Sequence, residues 1–402
     1  MKKVGKFLAA ALAAVLCTAG FASCRKQNYA EKNTEFIIGM SGPLSGGAAL
    51  YGEAVRNAAQ MAIDEINEAG GLNGVKFRLL ALDDANDADK VATNYAELLK
   101  QGTQVSLGCV TTKPALEFKS LSESDNLFFM TPSASNDEVP KVPNGYQMCF
   151  ADGNQGKVAA EYVRQMVGDG KYEAAQIGVF YKSDEAYSKG VYDLFRENVG
   201  SEIANAMKVT VFTDTNDSDF SQQIEQLKDC KFIFLPIYYT PASLFMTQAV
   251  RANKIAADAV YYGCDGLDGI DSMEGFDMYT IPQEISMLSH FNSKSTDAKT
   301  VEFVAKYTAK YGTATLNQFG ASAYDCVYAI WGAMKAAAEK DPGSISVTMC
   351  PSELCEVLKA QLNGGYTFDG VTGTGIKWNA DGYVDKPAVK YVVKEAGATK
   401  PE

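Results

Sequence analysis

Two rhythms of apolar residues alternate along most of this chain. Short apolar runs at 35–40, 77–82, 105–110 and 127–130 are too brief for helices and predict strands. Between the first two, Val55, Ala58, Ala59, Ala62 and Ile66 recur at helical spacing until Gly70-Gly71 stops the pattern. Further helices are predicted at about 87–100 and from near Pro114. After a break at 144–155 the alternation resumes. Helices are predicted at 156–167, 187–198, 220–227 and 242–252, and strands at 176–181, 206–212, 232–235 and 259–262. Near-continuous apolar strands separated by helices predict parallel sheets covered on both faces. The last third differs. It carries helices at 297–310 and 321–339, then a glycine-rich stretch from Gly364 with strand character that ends at 389–393.

Composition narrows the function. The 402 residues are 47% hydrophobic and 21% charged, which suits a globular protein with room for two domains. Lys and Arg number 37 against 49 Asp and Glu, for a net charge of −12. That balance lacks the basic footprint of a nucleic-acid binder. No apolar run reaches the ~18 residues of a membrane-spanning helix. With one histidine, His290, neither a multi-histidine metal centre nor chemistry needing two imidazoles is available.

The N-terminus reads as an address. Lys2, Lys3 and Lys6 precede an apolar stretch at 7–17 and small residues up to Cys24, the layout of a secretory signal. Phe21-Ala22-Ser23-Cys24 resembles a bacterial lipobox. This predicts a signal over 1–23, a lipidated Cys24, a polar tether over 24–34 and a place in the cell envelope, exported and anchored to a membrane. The seven remaining cysteines cannot all pair with one another. Cys350 and Cys355 are close enough in sequence to be a candidate disulfide, and the others sit in apolar surroundings suited to buried thiols.

Candidate chemistry gathers where strands end. Ser41–Glu53 (SGPLSGGAALYGE) follows the first strand and opens a helix, with Tyr51 set near glycines. It lacks both the Gly-Lys-Ser/Thr of a phosphate loop and a G-x-G-x-x-G fingerprint. Thr111 and Thr112 follow the third strand, and Ser133 and Ser135 the fourth, making a hydroxyl rim suited to a carboxylate beside helix N-termini. In the second half, Tyr187, Tyr238-Tyr239 and Asp265 also follow strands. The tyrosines offer apolar walls with polar tips, and Asp265 offers a charge suited to an ammonium. Asp268, three residues on, is expected to be an ordinary surface acid. Asp214, Asn216, Ser218 and Glu225 have calcium-loop spacing, but the required turn glycine is replaced by Asp219, so no metal is assigned. No G-x-S-x-G occurs, which leaves an exported hydrolase as the remote alternative.

The order of these motifs resembles the branched-chain amino-acid-binding family, the type I periplasmic binding proteins of ABC importers. The resemblance rests on SGPLSGGAALYGE, NEAGGLNG (67–74), LDDAND (82–87), FMTPSAS (129–135), YSKG (187–190), DFSQQIEQLK (219–228) and YGCDG (262–266). It implies two Rossmann-like α/β lobes joined by three crossovers, with a ligand cleft between them. Lobe 1 is expected to span 35–150 and 284–361, lobe 2 to span 151–283 and 362–395, with 396–402 as a tail. The resemblance also assigns roles. Tyr51 flanks the ligand side chain, Thr112 or Thr111 meets an α-carboxylate, and the Ser133 carbonyl receives an α-ammonium. Ser135 supplies a hydroxyl, Tyr187 and Tyr239 line the second lobe, and Asp265 pairs with the ammonium. The family has Glu where Asp265 stands, Gly where Ser188 stands and Cys where Asn86 stands. The implied protein is a monomer without cofactor or catalysis. It captures an amino acid, branched-chain or otherwise hydrophobic, for a membrane permease. Amides, urea and aromatic acids are alternative ligands of the scaffold, and ligand sensing is an alternative role.

Overall fold

The computed structural model describes residues 28–400. The expected signal, lipidated Cys24 and the start of the tether lie outside the described residues. Strands β1 (Phe36–Gly42), β2 (Phe77–Asp83), β3 (Val105–Cys109), β4 (Phe129–Thr131) and β5 (Gly145–Gln147) form one sheet in the order 2-1-3-4-5, all parallel. Strands β6 (Ile177–Lys182), β7 (Lys208–Phe212), β8 (Phe232–Leu235), β9 (Val260–Gly263), β10 (Glu284–Ser289) and β11 (Val389–Lys394) form the other, in the order 7-6-8-9-10-11. Its neighbours are parallel except the final antiparallel pair. The expected pair of α/β lobes is therefore present.

Each sheet repeats one device. The first strand of each lobe lies between its second and third, so the connections diverge to opposite faces there. The carboxyl ends of β1 and β3, and of β6 and β8, flank the resulting crevices, where ligands settle in doubly wound sheets. Helices on both faces explain why β1, β3 and β4 are buried along their whole length.

The helix Ala49–Glu68 buries Tyr51, Ala54, Val55, Ala58, Ala59 and Ala62. It packs against the helix Gln318–Lys340, whose Ala321 and Ala323 are equally buried. These small side chains let the backbones approach: a Cβ added at Gly320 would come within 3.2 Å of the Ala54 carbonyl oxygen. The helix ends at Gly70 and Gly71, both at positive φ, and the Gly71 N–H returns to the Ile66 carbonyl at 2.8 Å.

The lobe boundaries need correction. Strand β10 (Glu284–Ser289), expected in lobe 1, pairs in parallel with β9 and belongs to the second sheet. Its apolar core makes a central strand there, and the chain returns to the first lobe only after it. The glycine-rich segment after 362, expected in lobe 2, first packs on lobe 1. Trp378 donates its indole N–H to the Gln147 carbonyl at 3.0 Å, and Asp325 accepts from the Val371 and Thr372 N–H groups. Only the strand after it, β11, joins the second sheet. The expected break at 144–155 holds the three-residue β5, and a further helix, Pro351–Asn363, lies where none was predicted. Cys350 and Cys355 are free thiols at the start of that helix. The Cys350 sulfur contacts the Ser352 hydroxyl, and that of Cys355 contacts the Asn126 side-chain carbonyl.

Gly52 ties this scaffold to its first crevice. A Cβ there would lie 2.1 Å from the Pro43 carbonyl oxygen, a backbone atom that cannot swing away. Helix propensity alone favours Gly52→Ala by about 1 kcal/mol. Overpacking against fixed backbone costs about 1–3 kcal/mol, so the clash decides the sign. Gly52→Ala is expected to lower the melting temperature by a few degrees in a thermal unfolding scan, where a free helical surface glycine would raise it.

Candidate functional site

The strand ends of the two lobes meet around one small cavity. From the first lobe come Tyr51, Thr111, Thr112, Ser133, Ser135 and Phe319, and from the second Tyr187, Tyr238, Asp265 and Gly266. Its free volume is about 20 Å³, roughly the space of one water molecule. The lobes stand closed, and a larger molecule enters only when they separate.

The first-lobe side is built on a helix start. β3 ends at Cys109, and the helix Thr112–Asp125 begins with Thr111 as its cap residue, yet the Thr111 side chain caps no N–H. Its hydroxyl is buried without a hydrogen-bond partner. An uncapped helix start and a free hydroxyl on one cavity form a place for an anion. Ser133 spends its hydroxyl on the Val110 carbonyl at 2.7 Å, which locks the β4 loop against the β3 loop. Ser135 lies beside both Asp152 and Asp265, and its carbonyl accepts the Asp152 N–H at 2.8 Å.

Opposite it stands Asp265, only 2% exposed, in a turn directly after β9. Its carboxylate accepts the Tyr187 hydroxyl at 2.7 Å, and its N–H donates to the Gln155 side chain at 2.9 Å. Tyr187 in turn accepts the Gly266 N–H at 2.9 Å, while Tyr51 donates across the cleft to the Gly266 carbonyl. Burial raises the Asp265 carboxyl from about 3.8 to about 6, and hydrogen bonds from Tyr187, Gln155 and Ser135 limit the rise. Asp152, fully buried nearby, is pushed up by burial and by the Asp265 charge.

Aromatic rings close the cavity. Tyr238 stacks on Tyr187 with centroids 5.0 Å apart and meets Tyr51 edge-on at 5.6 Å, and Phe319 meets Tyr51 edge-on at 4.9 Å.

Seven of the eight predicted ligand positions come together here: Tyr51, Thr111, Thr112, Ser133, Ser135, Tyr187 and Asp265. Tyr239 does not line the cavity. It packs behind Tyr51, accepting the Leu50 N–H at 3.2 Å and donating its own N–H to the Tyr51 hydroxyl at 3.3 Å. Tyr238, one residue earlier, faces the site because the helix starts at Tyr239 and Tyr238 caps it. Phe319 was missed although Asn317 signals a helix start by capping the Phe319 and Gly320 N–H groups. Asp268 is not a surface acid. It accepts the Gln318 N–H at 3.0 Å, and burial pushes its carboxyl up to about 7. His290 bonds Ser322 at 2.8 Å and packs on Phe150, not on this cavity. Of the calcium-like set, Asp214 pairs with Lys182, and Glu225 with Lys228 and Lys254.

An acid held above its unfolded value keeps its proton more readily when folded. The contribution of Asp265 to stability therefore declines as pH rises from about 4 to about 6 and stays unfavourable above. Asp265→Asn retains an acceptor for Tyr187 and removes the charge. It is expected to stabilise the ligand-free protein at pH 7.5 by ~1–3 kcal/mol, at 1.36 kcal/mol per pKa unit. The gain should vanish near pH 4, as read by denaturant unfolding at both pH values.

Comparison with known proteins places these features in context. Residues 35–398 match the sequence profile of the family described as periplasmic binding protein. The leucine-, isoleucine-, valine-, threonine-, and alanine-binding protein of Pseudomonas aeruginosa is 27% identical over 320 residues, covering 74% of this chain and 80% of that protein. The branched-chain amino acid transporter substrate binding protein LivJ from Streptococcus pneumoniae, solved with isoleucine, is 25% identical with a TM-score of 0.73. That match covers 91% of this chain and 98% of LivJ. A solute binding protein of an ABC transporter from R. palustris, solved with benzoate, gives a TM-score of 0.74 at 18% identity, covering 90% and 94%. At that identity the likeness is one of fold.

Proposed function

The chain belongs to the periplasmic binding protein family, and from that premise we propose that it captures an α-amino acid between its lobes and hands it to the permease of an ABC transporter. The observation that carries this reading is the charge layout of the cavity. An uncapped helix start with the free Thr111 hydroxyl suits a carboxylate, and the buried Asp265 carboxylate suits an ammonium. A molecule bearing both groups one carbon apart satisfies both sides at once. The isoleucine and multi-amino-acid ligands named for relatives agree with it. On this reading the protein binds without chemistry: opening admits the ligand, closure buries it, and the permease reads the closed surface. Export, anchoring through Cys24 and a monomeric state complete the proposal. A thermal-shift screen of the purified protein against amino acids, amides and aromatic acids tests it. Ligand at ~100 times its dissociation constant adds about 2.7 kcal/mol of apparent stability.

Two outcomes follow from Asp265. Leaving a buried ammonium without its partner costs about 2–5 kcal/mol. Asp265→Asn is therefore expected to weaken amino-acid binding by roughly 30- to 5,000-fold, at 1.4 kcal/mol per tenfold. The des-amino analogue, which brings no ammonium, should lose far less. Calorimetry with both ligands checks this, and binding of the amino acid within about twofold of wild type would remove the assignment.

The second outcome is a pH profile. The free Asp265 carboxyl titrates at about 6, and an ammonium ligand requires its charged form. Affinity for an amino acid is expected to be flat above about pH 7 and to fall toward tenfold per unit well below 6. An aromatic acid such as the benzoate bound by the R. palustris protein would instead bind more tightly on acidification, because protonation removes a repelling charge.

A further inference from the structure

Tyr238 has two faces. One walls the 20 Å³ cavity, and the other lines a compartment of about 220 Å³ in the same cleft between the lobes. Gly47 and Ala85 border this compartment from the first lobe, and Ile237 and Leu244 from the second, with Glu185, Asp217 and Lys182 as its charged residues. Lys182 is already engaged, because its ammonium pairs with Asp214. Glu185 is 8% exposed. One carboxylate oxygen accepts the Ser188 N–H at 2.8 Å, capping the helix Ala186–Asn198, and the Tyr238 side chain lies beside the same carboxylate. Burial pushes this carboxyl up, while the Ser188 and Tyr187 N–H groups and the charge of nearby Lys182 hold the rise back. No lysine or arginine stands within 4 Å of it among the described residues.

The charges of the two compartments do not balance. Asp265 in the inner cavity and Glu185 in the larger one are buried; no lysine or arginine lines the inner cavity, and Lys182 in the larger one is paired with Asp214. The buried cation Lys386 donates to Thr372 and is held beside Asp325. A zwitterion with a neutral side chain places its ammonium at Asp265 and brings no positive charge to Glu185. Buried carboxylates without a partner are strongly unfavourable, and a complementary cation relieves them.

We propose that the ligand is a basic α-amino acid of the lysine or arginine type, its side chain passing the Tyr238 ring to place its cation at Glu185. This rests on the amino-acid reading above and deepens it. The free Thr111 hydroxyl is the independent sign that the inner cavity takes a ligand. The side chain then needs a path, and the Tyr238 ring provides one. It is held by contacts with the Tyr51 and Tyr187 rings and walls both compartments, so turning it about its side-chain bonds would join them. A cation crossing the face of this tyrosine pair is also attracted to it.

Calorimetry of the full chain at pH 7.5 with arginine, lysine and leucine decides the matter. The expected result is binding of arginine or lysine at least about tenfold tighter than leucine, the scale of one complementary charge. Glu185→Gln keeps an acceptor for the Ser188 N–H. It should weaken the basic ligands by about tenfold or more and leave leucine within about twofold. Leucine binding as tightly as both basic ligands overturns the inference, as does an equal loss for both classes in Glu185→Gln. Should that variant misfold, the wild-type preference still decides. Binding of leucine but not of arginine or lysine removes this inference and leaves the amino-acid reading standing. Binding of no α-amino acid at all removes the amino-acid reading, and this inference with it.

Discussion

A carboxylate buried without a cation is the constraint around which this molecule is arranged. Asp265 sits in the turn after β9, and its neighbours explain how the charge is tolerated. Tyr187 donates to it, Gln155 holds its N–H, and Ser135 lies within reach. These groups lower the desolvation penalty without removing it, since the carboxyl still titrates about two units above its ordinary value. A carboxylate already paired with a lysine or arginine has its charge satisfied. One held by neutral donors keeps its capacity to pair with a charge that arrives from outside. The stability given up in the ligand-free state is the counterpart of affinity in the complex.

The fold makes that arrangement possible by bringing six strand ends to one place. Short strands ending in turns put Tyr51, Thr111 and Ser133 at one sheet edge and Tyr187, Tyr238 and Asp265 at the other. Tyr51 connects the two. Its ring lies against Tyr238, Tyr239 and Phe319, and its hydroxyl reaches the Gly266 carbonyl. Gly266 is thus gripped by a tyrosine from each lobe, Tyr187 at its N–H and Tyr51 at its carbonyl. Displacing either hydroxyl disturbs both the acid and the closure, so the binding group and the closing group are one structure.

Much of this was legible in the sequence because it is local. Apolar runs and helical spacing identify strands and helices, and residues just after a strand fall at a sheet edge whatever the rest of the chain does. That is why Tyr51, Thr111, Thr112, Ser133, Ser135, Tyr187 and Asp265 could be named together. The failures depend on distant partners or on a single residue of register. Asp268 looks like an exposed turn acid, but it is covered by Gln318, 50 residues on. Tyr239 and Tyr238 differ only in where a helix begins. Strand β5 has three residues, too few for a periodicity, and is defined by pairing with β4. The segment around Trp378 was placed on the wrong lobe because its partner is the Gln147 carbonyl, which no local pattern reveals.

Closure itself is held by few bonds. The Leu50 N–H donates to Tyr239, Thr240 to the Gly47 carbonyl at 2.6 Å, the Gln318 N–H to Asp268, and Tyr51 to Gly266. A typical intramolecular hydrogen bond contributes about 0.5–1.5 kcal/mol net. These four bonds and the Tyr239 N–H bond to the Tyr51 hydroxyl give a few kcal/mol, and the burial of the Asp265 and Asp152 carboxyls opposes them. Where a closed and an open state lie within a few kcal/mol of each other, a ligand's preference for one state sets the population. Moving such an equilibrium from 1:99 to 99:1 takes about 5.5 kcal/mol of differential binding. On the proposed amino-acid reading, an ammonium on Asp265 and a carboxylate on the helix start at Thr112 would both be engaged only when both lobes are in place. The two contacts proposed to recognise the ligand would then also favour closing the protein around it.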